Sequence, residues 1–169
     1  TDEQLSHTEG HAGVGVELRL VREDDSVAGP GEEGEIRAKG PQIMRGYYDS
    51  SLDANAFDED GWFRTGDLGK VDADGYVSLT GRLKEIINRG GEKISPREVD
   101  EILMDHPAVA QVVCFGMPHA KLGEEVAAVV VLREGQVAGE RELQDFVARR
   151  AADFKVPKKI LFMDEIPKG

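Results

Sequence analysis

Residues 81–98 read GRLKEIINRGGEKISPRE, and the character of the sequence changes within this stretch. Residues 85–87 (EII) before Gly90-Gly91 and residues 93–94 (KI) after it predict a short β-hairpin with a two-glycine turn. Ser95 can cap a helix, Pro96 suits the first helical position, and Glu98 completes a capping box. We therefore expect a hairpin followed at once by a helix, which separates a first half from a second half.

The residues before this stretch predict β structure, and those after it predict strands that alternate with helices. Residues 16–20 and 35–38 alternate apolar and polar side chains, and residues 72–75 form a hairpin turn between two further strands. A short helical turn is expected within residues 52–57. The first 80 residues are therefore predicted to be β-rich. Residues 84–169 are predicted to form a small α/β unit, with strands over 109–115, 126–132 and 159–163 and a helix over 140–154.

The charge balance limits the classes of partner. The chain has 33 acidic and 21 basic residues, a formal net charge of −12. Nucleic acids and anionic membranes require a basic surface, so we expect neither as a partner. No apolar run approaches the roughly 18 residues of a membrane span. Cys114 is the only cysteine and lies among apolar neighbours, so we expect a buried thiol, a reducing compartment and a cytoplasmic location without a secretory leader.

The residues do not predict a metal site or a self-contained phosphate loop. The four histidines lack ligand spacing; these are His7, His11, His106 and His119. Residues 72–75 resemble the start of a calcium loop but lack the later glutamate. The phosphate-loop pattern G-x-x-x-x-G-K-[ST] does not occur.

Two clusters nevertheless carry groups suited to ligand binding. Residues 61–67, GWFRTGD, place the only tryptophan, an arginine and Asp67 in a loop bracketed by glycines. A carboxylate such as Asp67 can accept hydrogen bonds from the vicinal hydroxyls of a ribose. On chemistry alone the favoured interpretation is structural, with Trp62 in the core and Asp67 capping a turn. Residues 81–93 are locally basic, and either an anion-binding hairpin or a solvated charge run explains them.

In this order and spacing, the clusters resemble motifs of the AMP-forming acyl-CoA synthetases, which are adenylate-forming enzymes. The matching stretches are GEIR (34–37) with MRGYY (44–48), the ribose motif DGWFRTGD (60–67), the hinge and hairpin (81–98), and FKVP (154–157) with IPKG (166–169). The resemblance runs from about Gly13 to the end of the chain. It implies an α+β fold in which residues 1–81 are a β-rich, barrel-like subdomain ending the large domain. Residues 82–169 would be most of the mobile C-terminal domain, incomplete at its end, with a short mixed sheet flanked by helices.

The resemblance also implies roles for six residues. Asp67 would hold the ribose hydroxyls of ATP or AMP, and Arg82 would contact the same nucleotide. Lys84 would be the hinge about which the C-terminal domain rotates. Gly90 and Gly91 would lie in the hairpin that lines the channel for the pantetheine arm of CoA, and Lys93 would approach phosphate.

The implied reaction joins a carboxylic acid to CoA, and we expect the acid to be a fatty acid. The acid reacts with Mg²⁺-bound ATP to give an acyl-adenylate, and CoA then displaces AMP. The N-terminal region that carries the phosphate loop, adenine pocket and acyl pocket is not in this sequence. The catalytic lysine is expected beyond Gly169 and is not Lys168, so we expect the chain alone to be inactive. The alternatives are an adenylation domain that loads a phosphopantetheinyl carrier protein and a non-catalytic, nucleotide-sensing module.

Overall fold

The computed structural model describes residues 8–166, so His7 and Lys168 lie outside the described residues. The chain divides into two compact units, Thr1–Lys84 and Glu85–Gly169. Both consist mainly of antiparallel strands, and the predicted α+β class is confirmed. No helix among residues 8–166 has the length and apolar character needed to cross a membrane.

The first unit is a four-stranded antiparallel sheet in the order β1-β2-β3-β4. Its strands are β1 (Glu17–Val21), β2 (Glu33–Lys39), β3 (Phe63–Val71) and β4 (Val77–Arg82), with one short helix, α1 (Asp53–Ala56). Leu20, Ile36 and Val77 are the buried centre of its small core. The unit is β-rich as predicted, and its four strands form an open sheet and not a closed barrel.

The second unit is a mixed sheet with two helices. Its strands are β5 (Ile87–Arg89), β6 (Glu92–Ile94), β7 (Val109–His119), β8 (Gly123–Leu132) and β9 (Lys159–Phe162), and its helices are α2 (Pro96–Met104) and α3 (Glu140–Ala148). The order is β6-β5-β8-β7, and β9 runs parallel to β8. Val99 and Leu103 of α2 and Leu143 and Val147 of α3 are buried with the sheet residues in one core. The predicted hairpin, mixed sheet and helices are all present.

Three local predictions differ from the structure. Ser95 stands at the N-cap of α2, but its side chain makes no capping hydrogen bond, and the Glu98 carboxylate instead accepts from Lys155 Nζ at 2.6 Å. Helix α3 ends at Ala148 and not near Phe154, because a separate 3₁₀ turn, Asp153–Lys155, brings Phe154 against the same core. Strands β7 and β8 are each longer than predicted, since they stay paired as far as His119 and Gly123.

The single cysteine behaves as its neighbours predict. Cys114 is buried on β7, and burial raises the pKa of its thiol far above the ordinary value. Its backbone N–H donates to Asp100 Oδ1 at 2.6 Å, which joins β7 to α2. The thiol is therefore a core group and not a nucleophile.

Candidate functional site

Asp67 lies on a β-bulge and not in the loop that its glycine neighbours suggested. Where β2 contributes Ile36 alone, β3 contributes the three residues Thr65, Gly66 and Asp67. Gly66 has φ +73°, a conformation that favours glycine. The Thr65 hydroxyl donates to the Ile36 carbonyl at 2.6 Å and accepts from the Asp67 N–H at 3.0 Å. The bulge and the hydroxyl together fix the backbone from which the Asp67 carboxylate projects.

Arg82 is the direct cross-strand partner of Asp67. The two residues are paired between β3 and β4, and Arg82 Nε lies 2.7 Å from Asp67 Oδ1. Their side chains are 57% and 32% exposed, so neither charge is shut away from a ligand. Because each carboxylate oxygen can accept more than one hydrogen bond, Asp67 keeps acceptor capacity for hydroxyl groups while it holds Arg82. The guanidinium keeps donors for anionic oxygens.

The loop before Asp67 is held by Asp58, whose role the sequence did not reveal. Asp58 Oδ1 accepts from the backbone N–H of Trp62 at 2.9 Å and of Asp60 at 3.1 Å. Its Oδ2 accepts from Arg37 at 3.1 Å and also from Arg19. The Arg19 guanidinium lies 4.5 Å from the centre of the Trp62 ring. Trp62 is thus a packing residue in a braced loop that leads into β3.

Arg37 is the buried centre of this brace. Its side chain is 7% exposed and bonds Glu35 at 2.9 Å, Asp58 at 3.1 Å and Asp25 at 3.2 Å. Burial alone lowers the pKa of Arg37, but the hydrogen bonds that its guanidinium donates to these carboxylates reverse the effect, and the pKa lies above its ordinary value. For Asp58, burial raises the pKa. The hydrogen bonds that its carboxylate accepts from Trp62, Arg37 and Arg19 outweigh burial and bring the pKa below the ordinary value. The charged state of the cluster is therefore the stable one.

The β5–β6 hairpin presents two glycines and a lysine at the other predicted site. Gly90 and Gly91 have φ +61° and +98°, the positive values that a type I′ turn requires at both central positions. The Gly91 N–H donates to Asn88 Oδ1 at 3.2 Å. A Cβ added at Gly91 would meet no atom within 4 Å, whereas one at Gly90 would lie 3.0 Å from Leu122. Lys93 stands opposite Asn88 in the ladder and is exposed.

The predicted residues thus fall into two groups and one connecting position. Asp67 and Arg82 are in contact in the first unit, and Gly90, Gly91 and Lys93 share one hairpin in the second. Lys84 is exposed in the 3₁₀ turn Leu83–Glu85 and is the last residue of the first unit. Between residues 8 and 166, no group of three or more His, Cys, Asp or Glu side chains is arranged to hold a metal ion.

Comparison with known proteins finds a family match to the second half of the chain and relatives that match almost all of it. Residues 98–169 match the family described as AMP-binding enzyme C-terminal domain. The oxalate–CoA ligase of Arabidopsis thaliana is 44% identical over 168 residues, which are 98% of this chain and 33% of that protein. The medium-chain fatty-acid–CoA ligase of Escherichia coli is 40% identical over 173 residues, 99% of this chain and 31% of that protein.

A solved structure extends the match to the fold. The o-succinylbenzoate CoA synthetase of Bacillus subtilis, in complex with its acyl-adenylate intermediate, superposes with a TM-score of 0.87 at 34% identity. The match covers 99% of this chain and 34% of that structure. The chain therefore spans about a third of the length of the proteins it matches.

Proposed function

We propose that this chain belongs to the adenylate-forming enzymes and acts as the C-terminal part of an AMP-forming acid–CoA ligase. In that reaction the carboxylate of the acid attacks the α-phosphorus of ATP, so the acyl-adenylate forms and pyrophosphate leaves. The thiol of CoA then attacks the acyl carbon, which gives the thioester and releases AMP. The three relatives named above are two CoA ligases and a CoA synthetase, and their names support this reaction class.

The pairing of Asp67 with Arg82 is the observation on which the proposal rests most. The carboxylate would accept hydrogen bonds from the two ribose hydroxyls, and the guanidinium would contact the same nucleotide. Their mutual contact of 2.7 Å keeps both groups in place before the nucleotide arrives. Preorganised polar groups lose little further freedom on binding, which favours affinity.

The second unit would serve the two half-reactions in turn. Lys84 would be the hinge, and its exposed position between the two units supports that role. Lys93 would approach phosphate during adenylation. In the second half-reaction, the Gly90-Gly91 turn would line the path of the pantetheine arm, where a side chain would obstruct the thiol. Domain closure would also keep water from the reactive adenylate.

Several contributions to the reaction would come from outside the described residues. Magnesium would enter bound to the phosphates of ATP. The lysine that stabilises charge at the α-phosphate would follow Gly169, and the phosphate loop and acyl pocket would belong to the N-terminal domain.

We also propose a cytoplasmic location, which the single buried cysteine supports.

The finer proposal concerns the acid. A fatty acid is supported by the medium-chain relative, while the oxalate and o-succinylbenzoate relatives show that similar chains serve other acids. The acyl pocket would lie in the N-terminal domain, so a panel of fatty, aromatic and dicarboxylic acids is the appropriate test.

The reaction is tested by acid-dependent exchange of pyrophosphate into ATP in the full-length enzyme that contains this chain. We expect exchange with at least one acid, thioester formation with CoA, and no exchange by the 169-residue chain alone. Asp67→Ala should reduce kcat/KM for ATP by about tenfold or more, the loss of one charged hydrogen-bonding group. The matched control, Asp74→Ala, removes an exposed carboxylate seven residues away and should leave the rate unchanged. Thioester formation with a carrier protein and not with CoA would refute the CoA assignment, and absence of exchange with every acid would refute the reaction.

A further inference from the structure

Two consecutive glutamates of β8 accept hydrogen bonds from the β5–β6 hairpin. Glu124 Oε2 accepts from the backbone N–H of Asn88 at 2.7 Å. Glu125 Oε1 accepts from Arg89 Nε at 2.6 Å. The strands themselves pair only at Arg89 and Gly123, so side chains supply most of the connection between β5 and β8.

The Arg89–Glu125 pair joins a buried carboxylate to a partly buried guanidinium. The Glu125 side chain is 6% exposed and the Arg89 side chain 21%. Burial alone raises the pKa of Glu125, but hydrogen bonds from Arg89 and from the Val126 N–H lower it below the ordinary value. A buried pair with additional hydrogen bonds holds one geometry, whereas exposed pairs exchange with water.

Glu124 reaches the hairpin through space that a glycine leaves open. A Cβ added at Gly116 of β7 would lie 2.6 Å from Glu124 Oε1. The carboxylate therefore lies over the Gly116 backbone on its way to Asn88. Because successive strand residues point to opposite faces, Glu124 and Glu125 constrain β5 from the two faces of the sheet.

The contacts lead directly to the turn. Arg89 immediately precedes Gly90, whose N–H donates to the Leu122 carbonyl at 2.8 Å. Asn88, held by Glu124, uses its side-chain oxygen to accept from the Gly91 N–H. Both glycines are thus attached to residues that β8 fixes.

We propose that Arg89 and Glu125, with Glu124 in support, are positioning residues that fix the Gly90-Gly91 turn for the thioester-forming half-reaction. They touch no reacting atom and act through the turn. The inference has a structural part, the fixing of the turn, and a catalytic part that rests on the proposed function. A misplacement of about 1 Å can reduce a rate a hundredfold, so a loosened turn should slow the step that uses it.

The structural part is tested by amide hydrogen exchange in the 169-residue chain. Arg89→Met removes the guanidinium that donates the hydrogen bond. Glu125→Gln keeps the shape of the accepting side chain and removes its charge. Either should speed exchange at the Gly90 N–H by about tenfold or more, as expected when a local opening becomes easier. The control is Arg141→Met, which breaks an ion pair with Asp145 whose side chains are 85% and 49% exposed. Unchanged exchange at Gly90 in both variants, or an equal change in the control, would overturn the inference.

The catalytic part is tested in the full-length enzyme by measuring the two half-reactions separately. Both variants should reduce the thioester-forming rate by about tenfold or more, while acid-dependent pyrophosphate exchange changes by less than about threefold. Arg89→Lys, which keeps the charge, should recover part of the loss. Equal loss in both half-reactions would identify a merely structural pair and refute the positioning role. If the unmodified enzyme shows no exchange with any acid, the proposed function fails, and Gly90 exchange still decides whether the pair fixes the turn.

Discussion

Replacing Asp58 by alanine should destabilise the first unit more than any surface change near the site. The substitution removes an acceptor that receives hydrogen bonds from the Arg37 and Arg19 guanidinium groups. It also removes the acceptor for the N–H groups of Asp60 and Trp62. The loop before β3 then loses its brace on both sides.

The size of the effect follows from burial. The side chains of Asp58 and Arg37 are 9% and 7% exposed, and breaking a buried ion pair typically costs about 3–5 kcal/mol. Arg37 retains Glu35 and Asp25 as partners, so its charge is not left alone. We therefore expect the lower end of the range, about 3 kcal/mol in the free energy of unfolding.

The chain provides its own probe for this measurement. Trp62 is the only tryptophan and lies in the braced loop, so urea unfolding of the first unit can be followed by its fluorescence. Asp60→Ala is the matched control, because its carboxylate is 78% exposed and 4.0 Å from Arg19; it should cost less than about 1 kcal/mol. A loss below about 1 kcal/mol for Asp58→Ala, or equal losses in the two variants, would refute the reasoning.

Acid provides a second reading of the same cluster. The folded pKa of Asp58 lies below its ordinary value of 3.8, so the unfolded chain binds more protons between those two values. The stabilisation is therefore complete above about pH 4 to 5 and is lost as the pH falls through the folded pKa. In Asp58→Ala, the free energy of unfolding should fall less steeply as the pH drops below about 4, measured by urea unfolding at a series of pH values. An unchanged pH dependence would argue against an ionised Asp58 in the cluster.

Three further variants test other features. Burial raises the pKa of Asp100 to about 6, so the folded chain binds more protons and stability falls as the pH rises from about 4 through 6. Asp100→Asn keeps an acceptor for the Cys114 N–H and should be more stable by at most about 3 kcal/mol at pH 7.5 but not at pH 4, measured by calorimetry. Gly91→Ala should cost about 1–2 kcal/mol in urea unfolding, because φ is +98° although space is open. Gly69→Ala should cost about 1–3 kcal/mol in the same assay, since its Cβ would lie 2.8 Å from the Ser78 carbonyl oxygen; no loss would show that the sheet can shift.

Local patterns predicted the elements whose signals are themselves local. The hairpin at Gly90-Gly91 follows from a turn that needs positive φ at both positions, and α2 begins at the predicted Pro96. The end of α3 was wrong because Phe154 continues the apolar periodicity from a 3₁₀ turn. Apolar periodicity indicates which side chains reach the core, but an α-helix and a 3₁₀ turn can both place a side chain such as Phe154 there.

Long-range polar partners could not be predicted in this way. Glu125 meets Arg89, which is 36 residues away, and Asp58 meets Arg37, which is 21 residues away. Two adjacent glutamates after Gly123 also look like a loop, which hid the true start of β8. The Asp67–Arg82 pair could be named from the family resemblance, but the bulge that orients it depends on the register between β2 and β3.

The two glycines of the hairpin must be distinguished when a ligand is assigned to them. The backbone alone explains why both positions carry glycine, since φ is positive at each, so the residue type by itself is no sign of a passing thiol. Their surroundings differ, however. The Cβ position of Gly90 faces Leu122 at 3.0 Å, whereas that of Gly91 has no described atom of this chain within 4 Å. The Cβ direction is open at Gly91 only, so the proposed channel for the pantetheine arm rests on Gly91, while Gly90 attaches the turn to Leu122 through its N–H.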